Sequence, residues 1–311
     1  MLVTLDEIRA AAGRIRDVAR RTPIIEAKGL ALKCENLQPM GAFKIRGACN
    51  MIAQLSPEAR AAGVITFSSG NHGQAVALVA RHFGIHAVVV MPRTAPRLKM
   101  ERVKEFGAEI ILEGTTSLDR KARAEAEAAA RNLTIVPPFD DPAIIAGAAT
   151  AGLELLEQYP SVSVVYVPVG GGGLLSGVSA AVKQMRQNVR VIGVEPEGAA
   201  KMRMSLQAGE PVTLAKTASI ADGLLPVRPG DMTFAHAQAF VDEIVTVAEH
   251  EIVEAMRWVF AEARLVAEPS GAVPVAAALR REVEADERPA VVISGGNVGA
   301  EDFAKYLTGP G

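Results

Sequence analysis

The sequence predicts an α/β protein built on two open, twisted, mostly parallel sheets with helices on both faces. Three observations carry that expectation. Apolar β-branched runs alternate with helical patterns, the runs fall into two series, and several of them end in small hydrogen-bonding residues. The first series comprises residues 64–67, 86–91, 109–112 and 134–136, with helical stretches at 73–82 and 119–131, and predicts a smaller sheet. The second comprises 164–169, 191–194, 244–247 and 290–293, separated by 174–185 and 250–264, and predicts a larger one. The Ala-rich stretch 122–130 reads as a helix of strong formers.

A chain of 311 residues has room for two domains, and an apolar fraction of 49% with 22% charged residues places it among ordinary globular proteins. Net charge −2, aromatic content of 4% and interspersed Lys, Arg, Asp and Glu exclude a phosphate-backbone footprint, so a small-molecule partner is expected and nucleic acid is not. Cys34 and Cys49 follow neither a disulfide framework nor a zinc spacing and read as reduced thiols. No run approaches the roughly 18 apolar residues of a membrane span, and the charged segment 5–20 is no secretory signal. A cytoplasmic location without a membrane partner is the resulting expectation.

In open α/β sheets ligands gather beyond the carboxyl ends of strands. Three strand ends are unusual here: Phe67-Ser68-Ser69-Gly70-Asn71-His72-Gly73, Val169-Gly170-Gly171-Gly172-Gly173-Leu174 and Ile293-Ser294-Gly295-Gly296-Asn297. Four consecutive glycines between a strand and a helix clear side chains from the place where backbone N–H groups and the helix dipole receive a phosphate. A tight turn would need only one or two of them. No Gly-Lys-Ser/Thr follows, which excludes a nucleotide P-loop. Glu195, 22 residues after Gly173, keeps a dinucleotide-binding oxidoreductase open as an alternative, although the spacing Gly-x-Gly-x-x-Gly is not met within the loop.

Lys44 lies in Gly41-Ala42-Phe43-Lys44-Ile45-Arg46-Gly47-Ala48, at the start of an expected helix. Apolar surroundings and a positive helix end both favour a neutral, nucleophilic amine, whereas most such lysines simply extend their charge to water. His82, His86, His236 and His250 offer no metal or triad constellation and read as structural.

Gly-Ala-Phe-Lys-Ile-Arg-Gly-Ala, Ser-Ser-Gly-Asn-His-Gly-Gln-Ala, Pro-Val-Gly-Gly-Gly-Gly-Leu-Leu-Ser-Gly, Ala-Glu-Pro-Ser-Gly-Ala and Ser-Gly-Gly-Asn occur in that order. Together they resemble the serine/threonine dehydratase and serine racemase family, fold type II pyridoxal-phosphate enzymes with a tryptophan synthase β-like fold. The resemblance implies pyridoxal 5'-phosphate as cofactor, held as a Schiff base on Lys44 with Phe43 beside the ring. It also implies phosphate binding by Gly170, Gly171, Gly172, Gly173 and Leu174, a contact from Asn71 to the ring oxygen, and one from Ser294 to the pyridine nitrogen. Ser68, Ser69, Gly70, Asn71 and His72 would clamp the substrate carboxylate. Glu268 matches a family carboxylate near the cofactor, and reads equally well as an acid before a helix beginning at Pro269. A neutral hydroxyl at the ring nitrogen favours expulsion of a β-leaving group over transamination.

The implied activity is a dehydratase, or ammonia-lyase, converting L-serine, L-threonine or a similar β-hydroxy amino acid to a 2-oxo acid and ammonia. Serine racemase, with Ser69 as second acid/base, and 3-hydroxyaspartate dehydratase are the alternatives. Ala42 replaces a Ser or Thr common before Phe-Lys, which leaves substrate choice open. The segment before Lys33 is short, so a trimmed edge element is expected, and the end at Gly311 predicts no regulatory domain. Residues 1–51 and 141–311 are expected to form the larger cofactor-binding domain, 52–140 a smaller mobile one, and the enzyme a homodimer. In serine racemase relatives an acidic residue at the position of Lys201 completes a divalent-cation site with Glu195 and the Ala199 carbonyl. The lysine reverses the sign, so no metal is expected there, and an ion pair to Glu195 is.

Overall fold

A computed structural model describes residues 1–68, 70–95, 97–115, 117–280 and 287–309. Ten strands form in chain order: β1 (Ile24–Ala27), β2 (Leu30–Cys34), β3 (Val64–Phe67), β4 (Ala87–Met91), β5 (Glu109–Leu112), β6 (Thr134–Ile135), β7 (Val164–Pro168), β8 (Arg190–Pro196), β9 (Glu243–Val247) and β10 (Pro289–Ile293). They make a six-stranded sheet in the order β1-β2-β10-β7-β8-β9 and a four-stranded sheet in the order β5-β4-β3-β6. Every pairing is parallel except β1 with β2. The α/β class and both series of strands stand as expected, every strand end falling within two residues of its apolar run.

Parallel strands covered on both faces must be apolar throughout. Accordingly Ala87–Met91, Val164–Pro168 and Pro289–Ile293 are buried at every residue. The short segment before Lys33 folds as a hairpin, with Lys28 and Gly29 at φ 47° and 84° in the two-residue turn, so a four-residue strand closes the sheet edge.

Strand order sets where ligands can enter. β7 lies between β10 and β8, and β3 between β4 and β6, so the connections diverge at these strands and leave a crevice beyond their carboxyl ends. The four-glycine loop leaves β7 and the 68–72 loop leaves β3.

The helix Lys44–Ile52 packs on Asn71–His82 and on Pro142–Gln158. A buried charge network anchors it. Arg46 donates Nε and Nη2 to the two oxygens of Glu35 (2.7 and 2.8 Å) and Nη1 and Nη2 to those of Glu154 (both 2.8 Å), while Lys33 reaches Glu154 at 2.5 Å. Lys33, Glu35 and Arg46 are fully buried, and two cations balance two carboxylates. The helix bearing Lys44 is thereby tied to β2 and to Pro142–Gln158.

Cys34 and Cys49 are buried and not in a disulfide, and burial pushes both thiols up to about 12. Among the described residues no helix is long and apolar enough to cross a membrane.

Candidate active site

One cavity of about 540 Å³ opens at the crevice, a volume suited to a small ligand. Phe43, Lys44, Ser68, Gly70, Asn71, His72, Gly170, Gly171, Gly172, Gly173, Leu174, Glu268 and Ser294 all line it. Ser69 lies outside the described residues. Residues more than two hundred positions apart in the chain therefore converge: Ser68, Gly70–His72, Gly170–Leu174 and Ser294 follow strands, whereas Lys44 opens a helix and Glu268 lies just before one.

Lys44 opens its helix, and its Nζ donates to the Pro138 carbonyl at 2.5 Å, 5.1 Å from the Phe43 ring centre. Desolvation lowers its pKa to about 8, so the amine gives up its proton closer to physiological pH than a solvated lysine does. His72 donates Nε2–H to the Val136 carbonyl at 3.0 Å, leaving Nδ1 buried and unpaired among the described residues. Burial, followed by the charge of Lys44, holds this imidazole neutral with a pKa near 3.

Three of the four glycines are required by their surroundings. A Cβ on Gly171 would collide with the Phe139 ring, one on Gly172 would come within 2.7 Å of Thr233 Cβ, and one on Gly173 within 2.9 Å of Phe139 Cβ. Gly172 also has φ 101° at the N-cap of Gly173–Met185, a backbone state that side chains resist. Thr233 Oγ1 donates to the Gly171 carbonyl at 2.7 Å, and Asp140 accepts from the N–H groups of Asp231, Met232 and Thr233 (3.1, 2.9 and 3.2 Å). The result is a bare, braced loop at a helix N-terminus, which fits a phosphate.

Asn71 is fixed from both sides. Its Oδ1 accepts from Asn297 Nδ2 at 2.8 Å and its Nδ2 donates to Glu268 Oε1 at 2.6 Å. Among the described residues the Ser294 hydroxyl makes one long contact, 3.5 Å to the Ser270 carbonyl, so it stays available to a ring nitrogen. The residues present thus fit pyridoxal phosphate: a neutral-capable lysine, a phosphate cradle and a ring-facing hydroxyl.

Burial, reinforced by the charge of Asp222, pushes Glu268 up to about 8. The folded protein holds a proton that the unfolded chain releases near 4.5, so stability falls as pH rises from about 4.5 to about 8 and levels above that. Glu268→Gln keeps the shape and removes the titration. Its thermal midpoint relative to wild type is expected to climb across this window, read by melts at half-unit pH steps; a constant difference would show that Glu268 does not hold the proton.

Lys201 is wholly buried and its Nζ pairs with Glu195 Oε1 at 3.0 Å, as expected from the sequence. Three carbonyls complete its shell, those of Val169 (3.1 Å), Ala199 (2.9 Å) and Leu224 (3.1 Å). Val169 immediately precedes the glycine loop, so this ammonium braces the loop at its base.

Sequence reasoning missed Pro138, Phe139, Asp140 and Thr233, and also Lys99 and Asp222, which pair across the cavity mouth. Pro137-Pro138-Phe139-Asp140 follows a strand as the other site loops do, a signal that was there to read. Asp222 sits in a short turn without a motif.

Comparison with known proteins agrees with this geometry. The pyridoxal-phosphate dependent enzyme family model matches residues 15–295. The chain is 44% identical over 305 residues to an L-threonine ammonia-lyase of Thermotoga maritima, covering 96% of this chain and 76% of that protein. It is 38% identical over 317 residues to a serine racemase of Schizosaccharomyces pombe, covering 99% and 98%. It is also similar to the solved structure of maize serine racemase, with a TM-score of 0.94 at 37% identity over 99% of this chain and 97% of that one.

Proposed function

Because the chain belongs to the pyridoxal-phosphate dependent enzymes, we propose that it is a dehydratase of β-hydroxy amino acids, releasing a 2-oxo acid and ammonia. The observation that carries this reading is the convergence of a half-buried, desolvated Lys44 and a weakly engaged Ser294 hydroxyl on the cavity that the glycine loop closes. Relatives named threonine ammonia-lyase and serine racemase support it.

Bound there, the cofactor supplies an electron sink for the α-carbon. Gly170–Leu174 backbone N–H groups would hold its phosphate, and Asn71, locked by Asn297 and Glu268, would have one amide hydrogen left for its ring oxygen. The neutral Ser294 hydroxyl would leave the ring nitrogen uncharged, which would favour loss of a β-group. The 68–72 loop receives the substrate carboxylate at the N-terminus of Asn71–His82. Lys44 takes the α-proton, and its pKa near 8 suits a base that must later give the proton up. The α-proton and β-hydroxyl leave as water; hydrolysis of the product yields ammonia and the 2-oxo acid. In this reading residues 52–140 close over the substrate as a mobile unit and keep water out during elimination. The same reading makes the enzyme a cytoplasmic homodimer.

Serine racemisation is the second reading, favoured by near-complete coverage of a serine racemase. A proton returned to the opposite face needs a second acid/base, and Ser69 is assigned that part from its place in the sequence. With L-serine, ammonia and the 2-oxo acid are expected as main products and D-serine as a minor one. Ser69→Ala is expected to abolish D-serine and retain elimination, by chiral chromatography alongside a coupled oxo-acid assay. Undiminished D-serine would remove Ser69 from this role, and no ammonia from any hydroxy amino acid would end the dehydratase reading.

A further inference from the structure

The consecutive backbone N–H groups of Gly170, Gly171, Gly172, Gly173 and Leu174 have no acceptor among the described residues, and all of these residues except Gly170 are buried. Such a run forms a concavity for an anion only if its peptides are turned so that the N–H groups converge. In a planar trans peptide the carbonyl and the following N–H point to opposite sides, so a group that holds a carbonyl outward turns the next N–H inward. Two carbonyls are held in this way. Lys201 Nζ donates to that of Val169 at 3.1 Å, which turns the Gly170 N–H. Thr233 Oγ1 donates to that of Gly171 at 2.7 Å, the shorter of its two carbonyl contacts, which turns the Gly172 N–H. The N–H of Gly230 adds a longer bond to the same Gly171 carbonyl, at 3.3 Å.

Thr233 is itself held from a distant part of the chain. It stands in the first turn of Asp231–Phe240, whose N-cap is Gly230, a residue with no side chain to close the helix end. Asp140 closes it instead, from 93 positions away: Oδ1 accepts from the N–H groups of Met232 and Thr233, and Oδ2 from that of Asp231. A Cβ on Gly230 would lie 2.1 Å from Asp140 Oδ1, so the carboxylate occupies the space that an ordinary capping side chain at 230 would need. Asp140 also lines the cavity, where its negative charge opposes an arriving phosphate. Its two effects on phosphate binding therefore have opposite signs. Three N–H groups at the positive end of a helix offset the charge, so the hold on the helix outweighs the repulsion.

We propose that Asp140 is a positioning residue for the cofactor phosphate: by capping Asp231–Phe240 it fixes Thr233, and Thr233 turns the Gly171–Gly172 peptide so that its N–H faces the cavity. Both residues act through the loop. This rests on the assignment of the glycine loop to the cofactor phosphate and is independent of which amino acid is turned over.

Pyridoxine 5'-phosphate and pyridoxine probe the cradle apart from the reaction, because neither carries an aldehyde for Lys44 to attack. The readout is the ratio of their dissociation constants, by calorimetry on the full chain stripped of cofactor. The wild type should prefer the phosphate ester by about 10²-fold or more, the scale of several charge-assisted bonds. Asp140→Ala should lower that ratio about tenfold, the scale of one lost helix cap, and leave pyridoxine binding within about twofold, which a general loss of fold would not do. Asp140→Ser, which keeps one acceptor, should fall between Asp140→Ala and wild type, and it stands in for Asp140→Ala if that variant does not fold. Thr233→Val should lower the ratio by a similar factor and Thr233→Ser should retain it. Asp140→Ala combined with Thr233→Val should lose no more than Thr233→Val alone, because residues acting in one line do not add. A ratio that rises in Asp140→Ala would show that its charge dominates and would overturn the proposal, as would losses that add in the double variant. A wild type with no preference for the ester would remove the cradle assignment and the proposal together, whereas a preference that both single variants leave intact overturns the proposal alone.

Discussion

Lys44→Ala is expected to lower turnover by about 10⁴-fold or more, the scale seen when a group acting as both nucleophile and base is removed. No other amine among the described residues is placed to replace it: Lys99 is held by Asp222, and Lys121 points to Glu125 at the surface. Cofactor binding should survive, because the glycine loop, Asn71 and Ser294 are untouched. The wild type should be yellow as isolated, and borohydride should fix the cofactor covalently to the Lys44 peptide, identifiable by mass. In the variant the absorption band should shift and borohydride should leave no covalent label. A colourless wild type that binds a nicotinamide dinucleotide, or a label on another lysine, would refute the assignment of Lys44.

Lys201→Met is expected to cost about 3–5 kcal/mol, since it strands a buried carboxylate beside three carbonyls that lose their cation. At a few degrees per kcal/mol for a protein of this size, the thermal midpoint should fall by roughly 10 °C. Cofactor affinity should weaken too, because Val169 carries the glycine loop. In the wild type this cation is covalently attached and cannot be withdrawn, so activity should be indifferent to a chelator. Loss of activity with chelation and its return with magnesium would contradict that, as would a Met variant as stable as the parent.

Much of this was legible in the residues themselves. Continuous apolar runs identify buried parallel strands, and glycine at four successive positions announces a site that side chains must not enter. Lys201 announces itself by charge, because an ammonium beside an expected carboxylate site has an obvious partner. What could not be read depends on long-range contact. Phe139 and Thr233 enforce the glycines of the loop, yet nothing local separates them from ordinary loop and helix residues. The pairing of Lys99 with Asp222 joins segments 123 positions apart. Arg120 looks like one more helical surface cation until its buried Nε, without a hydrogen-bond partner among the described residues, is seen. Helix Asn71–His82 starts two residues before its apolar period, because the periodicity marks the packed face and not the turn that begins the helix.

The arrangement of Arg46, Glu35, Glu154 and Lys33 also bears on how this enzyme can diverge. Losing any one member leaves a charge in the interior without its partner, a penalty of about 3–5 kcal/mol against a total stability of about 5–15 kcal/mol. Substitutions at these four positions are therefore passable only in compensating sets, through intermediates that selection removes. Lineages that reshape the cavity rim for new substrates will carry the quartet along unchanged, while the rim, built of pairs that meet only in space, stays free to drift.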